Sequence, residues 1–202
     1  MGSEAASVQV EPDGLAEAEL SPAVRAVLDG YRAEIERLNR RVAEVELLAD
    51  RDALTPVLNR RAFMRELQRT IAFCERYETT ASLVFFDLDG FKSVNDQYGH
   101  AAGDAALLWV AGVLADHVRE SDVVGRLGGD EFAVILAQAP QDAARSKAAS
   151  LAAAIHDQPV VFQGRTIQIR TSYGVRCFEK GVDAAALLAE ADAAMFLRKG
   201  RR

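Results

Sequence analysis

The stretch Arg126-Leu127-Gly128-Gly129-Asp130-Glu131-Phe132-Ala133-Val134-Ile135-Leu136 constrains the fold most strongly. Short apolar runs flank Gly-Gly-Asp-Glu, the pattern of a β-hairpin whose glycines supply the turn conformations. Its strands are predicted over 122–127 and 131–137. A turn needs no pair of adjacent carboxylates at its tip. Asp130 and Glu131 repel each other, and a metal ion relieves that repulsion best. A solvated acidic turn is the plainer alternative.

A second stretch bears on the choice. Leu83-Val84-Phe85-Phe86-Asp87-Leu88-Asp89-Gly90-Phe91-Lys92 reads as a buried strand, predicted over 81–88, that ends in two carboxylates. Asn95, Asp96, His100, Gly103 and Asp104 follow closely. With the hairpin, these residues resemble the GGDEF family of diguanylate cyclases in both type and spacing, from about Asp52 to Lys199. The resemblance implies condensation of two GTP molecules into cyclic di-GMP with release of two pyrophosphates.

Composition sets the bounds. The chain has 202 residues, enough for one domain and an extension, and half are hydrophobic, enough for a substantial core. A net charge of −6 argues against a nucleic-acid surface. An acidic protein that binds a polyphosphate needs metal ions and a few local cations. Cys74 and Cys177 fit reduced thiols, with a disulfide left open. No apolar run approaches the ~20 residues of a membrane span, and the N-terminus lacks a signal peptide's basic and apolar regions. The expectation is a cytoplasmic protein.

Three segments are expected: a disordered lead-in over 1–20, a coiled-coil dimerisation and signalling helix over 21–50, and a catalytic domain over 51–202. Ser21 is the expected N-cap and Pro22 the first helical residue. Val24, Leu28, Tyr31, Ile35, Leu38, Val42, Val45 and Ala49 then form a heptad seam. Its β-branched a positions favour a parallel homodimer, with Arg41 placed to pair with Glu46 of the partner helix. An amphipathic helix docked on its own domain is the alternative.

The helix runs into Asp52-Ala53-Leu54-Thr55-Pro56-Val57-Leu58-Asn59-Arg60-Arg61. This resembles the family's opening signature, but Pro56 and Val57 stand where Gly and Leu are usual. Helices are predicted over 60–76, 103–118, 141–157 and 183–198, with strands over 160–162 and 166–175. The order suits an α+β fold: a central, mainly antiparallel sheet, like that of the nucleotidyl cyclases and the polymerase palm, with helices expected on one face.

The implied reaction is attack of a ribose 3′-hydroxyl on the α-phosphate of a second GTP, a chemistry of positioning and charge stabilisation. Magnesium or manganese, two ions per site, would be held by Asp87, the Leu88 carbonyl, Asp130 and Glu131, which are hard oxygen donors. Asp130 and Glu131 are the catalytic candidates, with Asp130 resembling the family's proposed base. Asn95 and Asp104 resemble its guanine readers. A carboxylate accepts both guanine N1–H and the N2 amine, and adenine would leave it unpaired. A loop hydrogen bond for Asn95 and a helix cap for Asp104 are the structural alternatives. Lys92 and Lys199 resemble phosphate contacts, His100 matches a family position, and Gly128 and Gly129 would let substrate approach the backbone. No Walker A loop is present, and Lys92 stands where a calcium loop needs glycine.

Arg119-Glu120-Ser121-Asp122 matches the family's inhibitory Arg-x-x-Asp in type and offset, which implies product inhibition by cyclic di-GMP. In the last helix Phe196 stands where Tyr is common. The phosphate-binding arginine expected beyond Lys199 would have to be Arg201 or Arg202. Making two phosphodiester bonds requires two sites face to face, and a stalk raises their effective concentration. Two other readings are a non-catalytic cyclic di-GMP receptor signalling through its stalk, and a GTP-binding interaction module. A pure receptor has no physical need for three clustered carboxylates.

Overall fold

A computed structural model describes residues 21–178 and 181–199, apart from the side chains of residue 40 and residues 42–49. The expected lead-in over 1–20, the side chains of Val42, Val45 and Ala49 in the seam and of Glu46 in its expected pair with Arg41, and Arg201 and Arg202 lie outside what is described. The chain divides into two compact units, Met1–Leu47 and Leu48–Arg202. Helix α1, Pro22–Asp50, begins where Pro22 predicts, with the Ser21 hydroxyl accepting from the Val24 N–H at 3.4 Å. Val24, Leu28, Tyr31, Ile35 and Leu38 are exposed along it. Among the described residues no helix is long and apolar enough to cross a membrane.

The second unit runs β1 (Leu58–Asn59), α2 (Arg60–Tyr77), β2 (Ala81–Leu88), α3 (Phe91–Tyr98), α4 (His100–Asp116), β3 (Val123–Arg126), β4 (Glu131–Ala137), α5 (Gln141–Asp157), β5 (Val160–Phe162), β6 (Arg165–Ile167), β7 (Thr171–Cys177) and α6 (Ala184–Lys199). The main sheet has the order β1-β3-β4-β2-β7 and is antiparallel except for the short β1–β3 pair. Strands β5 and β6 form a hairpin of their own. The single strand expected over 166–175 is therefore two. Residues 168–170 carry the chain from the small hairpin to the edge of the main sheet. Two further departures bear on the site: α3 is an extra helix, and α4 starts at His100 rather than at 103.

Helices cover both faces of the sheet, not one. In a strand, successive side chains face opposite ways. Val84, Phe86 and Leu88 pack with Leu107, Val110 and Leu114 of α4 and Leu151 and Ile155 of α5. Leu83 and Phe85 pack with Phe63 and Leu67 of α2 and Leu187, Ala191 and Met195 of α6. This is why β2 reads as an unbroken apolar run: it has no solvent side. Each large side chain fully buried here, such as Phe86 or Leu83, contributes about 1.5–3 kcal/mol. The one-face expectation failed because an apolar run does not say how many layers bury it.

Helix α6 lies close against β7 at Gly174. A Cβ there would stand 2.0 Å from the Ala191 carbonyl oxygen and 2.5 Å from the Met195 nitrogen. Both are backbone atoms of a packed helix and cannot turn aside. Gly174→Ala is expected to destabilise the domain by about 2–3 kcal/mol, read as a lower urea midpoint. An unchanged midpoint would show that α6 is not seated on β7 in this way.

Candidate active site

The carboxylates gather because two strands end together. In the antiparallel β2–β4 pair, Asp87 lies opposite Glu131. The Leu127 N–H closes the hairpin onto the Glu131 carbonyl at 2.8 Å, and the Leu88 N–H takes the Asp130 carbonyl at 3.2 Å. Asp87 has the parity of Leu83 and Phe85, and Glu131 that of Ala133 and Ile135. Both therefore stand on the α2/α6 face, just beyond the end of its apolar core. On that face Asp87 pairs with the ammonium of Lys199, the last residue of α6, which is also 3.9 Å from Asp89. The Ser172 hydroxyl bonds Asp89 at 2.7 Å, and the Thr171 hydroxyl donates to the Asp87 carbonyl at 3.0 Å.

The electrostatics are those of a crowded acidic site. Burial, then the charge of Asp87, pushes the Asp130 carboxyl above its ordinary value, with Lys199 and Arg126 among the groups opposing. Burial, then the charge of Asp192, does the same to Glu131, with Arg60 opposing and Asp130 and Asp87 adding. Burial works to lower the Lys199 pKa, but the hydrogen bond and charge of Asp87 outweigh it and raise it. Among the described residues no three His, Cys, Asp or Glu side chains are grouped so as to grip a metal ion as they stand.

Arg60 and Asp192 belong to this group and were not anticipated. Arg60 sits in the opening signature, where it reads only as part of a helix start; in the structure it donates to the Leu127 carbonyl at 3.2 Å. Asp192 lies seven residues before Lys199, two helical turns, so both sit on the same side of α6. That spacing was legible, but nothing in it says which strand end α6 approaches.

A second unanticipated contact holds the hairpin tip. Arg126 donates to the Gly129 carbonyl through Nε at 3.2 Å and a terminal nitrogen at 2.7 Å, and to Asp52 at 2.9 Å. Asp52 also accepts from the Thr55 N–H at 2.9 Å and the Thr55 hydroxyl at 2.8 Å. Burial alone would raise the Asp52 pKa; the Thr55 and Arg126 hydrogen bonds lower it overall. The opening turn accommodates both departures from the family pattern. Arg51 donates to the Pro56 carbonyl at 2.6 Å, and Val57 is buried in the core.

The two glycines at the tip differ. A Cβ on Gly128 would stand 2.4 Å from a Glu131 carboxylate oxygen, so Gly128 makes room for a side chain of the site. Gly129 faces open space. Asn95 of α3 packs against α4 at Gly103, the residue before Asp104: a Cβ on Gly103 would stand 2.0 Å from Asn95 Oδ1. Asp104 is exposed on the second turn of α4, too far along to cap it. Lys92 and His100 are exposed, and among the described residues no hydrogen bond or ion pair ties either to the carboxylates.

Arg119 and Asp122 lie at the far end of β4, whose seven residues span about 20 Å. Asp122 accepts from the Arg119 and Ala137 N–H groups, each at 3.0 Å. A cavity of about 400 Å³ opens beside them, lined also by Gln138, Ser146 and Lys147.

Residues 49–202 match the family described as GGDEF: Diguanylate cyclase, GGDEF domain. The Diguanylate cyclase TpbB of Pseudomonas aeruginosa is 35% identical over 194 residues, 95% of this chain and 45% of that protein. The Probable diguanylate cyclase DgcE of Escherichia coli K12 is 34% identical over 167 residues, 82% of this chain and 15% of that protein. The chain thus spans less than half the length of these curated relatives. Among solved structures, the coiled coil and GGDEF domain of DgcB from Caulobacter crescentus, in complex with c-di-GMP, superposes with a TM-score of 0.76 at 29% identity, covering 88% of this chain and 95% of that one.

The crowding of carboxylates has a measurable cost. A carboxyl whose pKa is raised by folding weakens the fold as pH climbs through the carboxylate range, and costs nothing below its unfolded pKa. Metal-free Asp130→Asn is therefore expected to melt a degree or more above the wild type at pH 7, the difference closing by about pH 4. A lower melting temperature at pH 7 would show that Asp130 is a structural carboxylate.

Proposed function

Because the chain belongs to the diguanylate cyclase GGDEF-domain family, we propose that it joins two GTP molecules into cyclic di-GMP and acts as a homodimer. The observation that carries this reading is the meeting of Asp87, Asp130 and Glu131 at one end of the β2–β4 pair. Each half-reaction forms a bond from a ribose 3′-oxygen to an α-phosphorus and breaks that phosphorus's bond to the bridging oxygen, so pyrophosphate leaves. Asp130 takes the hydroxyl proton, and its raised pKa suits a base better than an ordinary aspartate would.

The donor chemistry fits a hard divalent cation. Asp87, Asp130, Glu131 and the Leu88 carbonyl would hold magnesium or manganese, two ions per site, as oxygen ligands. When bound, the cation supplies charge stabilisation for the hydroxyl and the leaving pyrophosphate. Asn95 and Asp104 read the guanine edge; the seating of Asn95 against Gly103, next to the exposed Asp104, supports that reading. Lys92, His100 and Lys199 serve the phosphates, and Gly129 leaves the tip open to substrate. The exposed apolar residues of α1 support a homodimer that brings two such sites together.

The test incubates nucleotide-stripped protein with GTP and Mg²⁺ over a range of protein concentrations and separates the products. Cyclic di-GMP and pyrophosphate are expected, with specific activity rising as dimer forms, and a loss of roughly a hundredfold or more in Asp87→Ala. Intact GTP at concentrations where the chain is dimeric would overturn the enzyme reading in favour of a cyclic di-GMP receptor. Constant specific activity down to monomer would overturn the dimer.

Product inhibition at Arg119 and Asp122 is part of the same proposal. The cavity beside them and the distance from the carboxylates support a separate regulatory site. Arg119→Ala should retain turnover and lose inhibition by added cyclic di-GMP; inhibition that persists unchanged would remove the claim.

A further inference from the structure

Among the described residues, three cations surround the hairpin tip, and they do different things. Arg126 is committed to Asp52 and the Gly129 carbonyl, and Arg60 donates to the Leu127 carbonyl. Lys199 alone among the described residues forms an ion pair with Asp87. Its ammonium lies on Oδ1 of Asp87, a carboxylate proposed to hold the divalent cation, and within 3.9 Å of Asp89.

Resting on the reading of this site as a metal–nucleotide centre, we propose that Lys199 is its resident counter-ion. Lys199 holds Asp87 while nucleotide is absent and moves to the triphosphate when it binds, so that divalent cation and nucleotide are taken up together. A divalent ion and an ammonium on one carboxylate repel each other. The ion entering first must therefore displace Lys199 into water. An ion entering with a triphosphate displaces it onto anionic oxygens.

The side chain is built for this exchange. Lysine is a point charge on a flexible four-carbon stem, with three rotatable donors and no fixed fork. Lys199 is 38% exposed whereas Asp87 is 17% exposed, so the ammonium has an open side to move into and the carboxylate stays put. The helix end need not move with it, because the neighbouring Arg198 is stacked 4.4 Å over the Tyr173 ring. The coupling is reciprocal: a nucleotide that draws Lys199 away tightens the cation, and the cation tightens the nucleotide by the same factor.

The probe is Mn²⁺, followed by the resonance signal of the free ion, in nucleotide-free wild type, Lys199→Met, and Lys199→Met combined with Asp87→Asn. Lys199→Met is expected to bind Mn²⁺ roughly fivefold to tenfold tighter than the wild type, and the combined variant to lose that gain. A GTP analogue with a methylene in place of the α,β-bridging oxygen should tighten Mn²⁺ strongly in the wild type and less in Lys199→Met. Equal affinity in the two nucleotide-free proteins, with the analogue still recruiting Mn²⁺ to the wild type, would overturn the counter-ion role and leave the site reading standing. A gain that survives Asp87→Asn would overturn it too. Failure of the analogue to recruit Mn²⁺ to the wild type would overturn both.

Discussion

The antiparallel register of β2 on β4 is the constraint on which the rest of the site depends. With Asp87 opposite Glu131, the two carboxylates and the backbone of Asp130 fall at one strand end. A slip of one residue would turn Phe85 and Phe86 to the wrong faces. Because both faces of β2 are buried, neither layer tolerates that slip. The apolar core on each side thus sets the position of charged groups that make no contribution to it.

The hairpin tip is held from a second direction. Arg126 clamps the Gly129 carbonyl and reaches the carboxylate of Asp52, two residues beyond the end of α1. Asp50, the last residue of α1, is itself paired with Arg61 and Arg65 of α2. The opening turn and the hairpin turn are thereby joined by charge-assisted hydrogen bonds, which are stronger and more directional than packing alone. Pro56 and Val57 leave that joint intact, because the turn is closed by Asp52, Thr55 and Arg51 rather than by the side chains at the two departing positions.

Against these stabilising contacts stands a group of acids that folding crowds together. Asp87, Asp130, Glu131 and Asp192 interact unfavourably, and Lys199, Arg60 and Arg126 offset only part of this. Strained electrostatics of this kind concentrate at functional sites, where a ligand supplies the missing charge. Compact packing such as that of Gly174 against the backbone of α6 gives the domain a margin from which the acidic end can draw.

The amino-acid sequence by itself determined the hairpin, the buried strand ending in Asp87, the long helices and the family resemblance. Each rests on local periodicity, turn chemistry or motif spacing, which a chain carries wherever it folds. It left the extra helix α3, the split of 166–175 into β6 and β7, and the second helical face to the tertiary structure. An apolar run reports that a strand is buried but not what buries it. The roles of Arg60, Arg126 and Asp192, and the pairing of Lys199 with Asp87, were decided there too. Each is a contact between residues at least 50 positions apart in sequence, apart from the short reach from Arg126 to Gly129, and such contacts exist only once register and helix packing have brought the partners face to face.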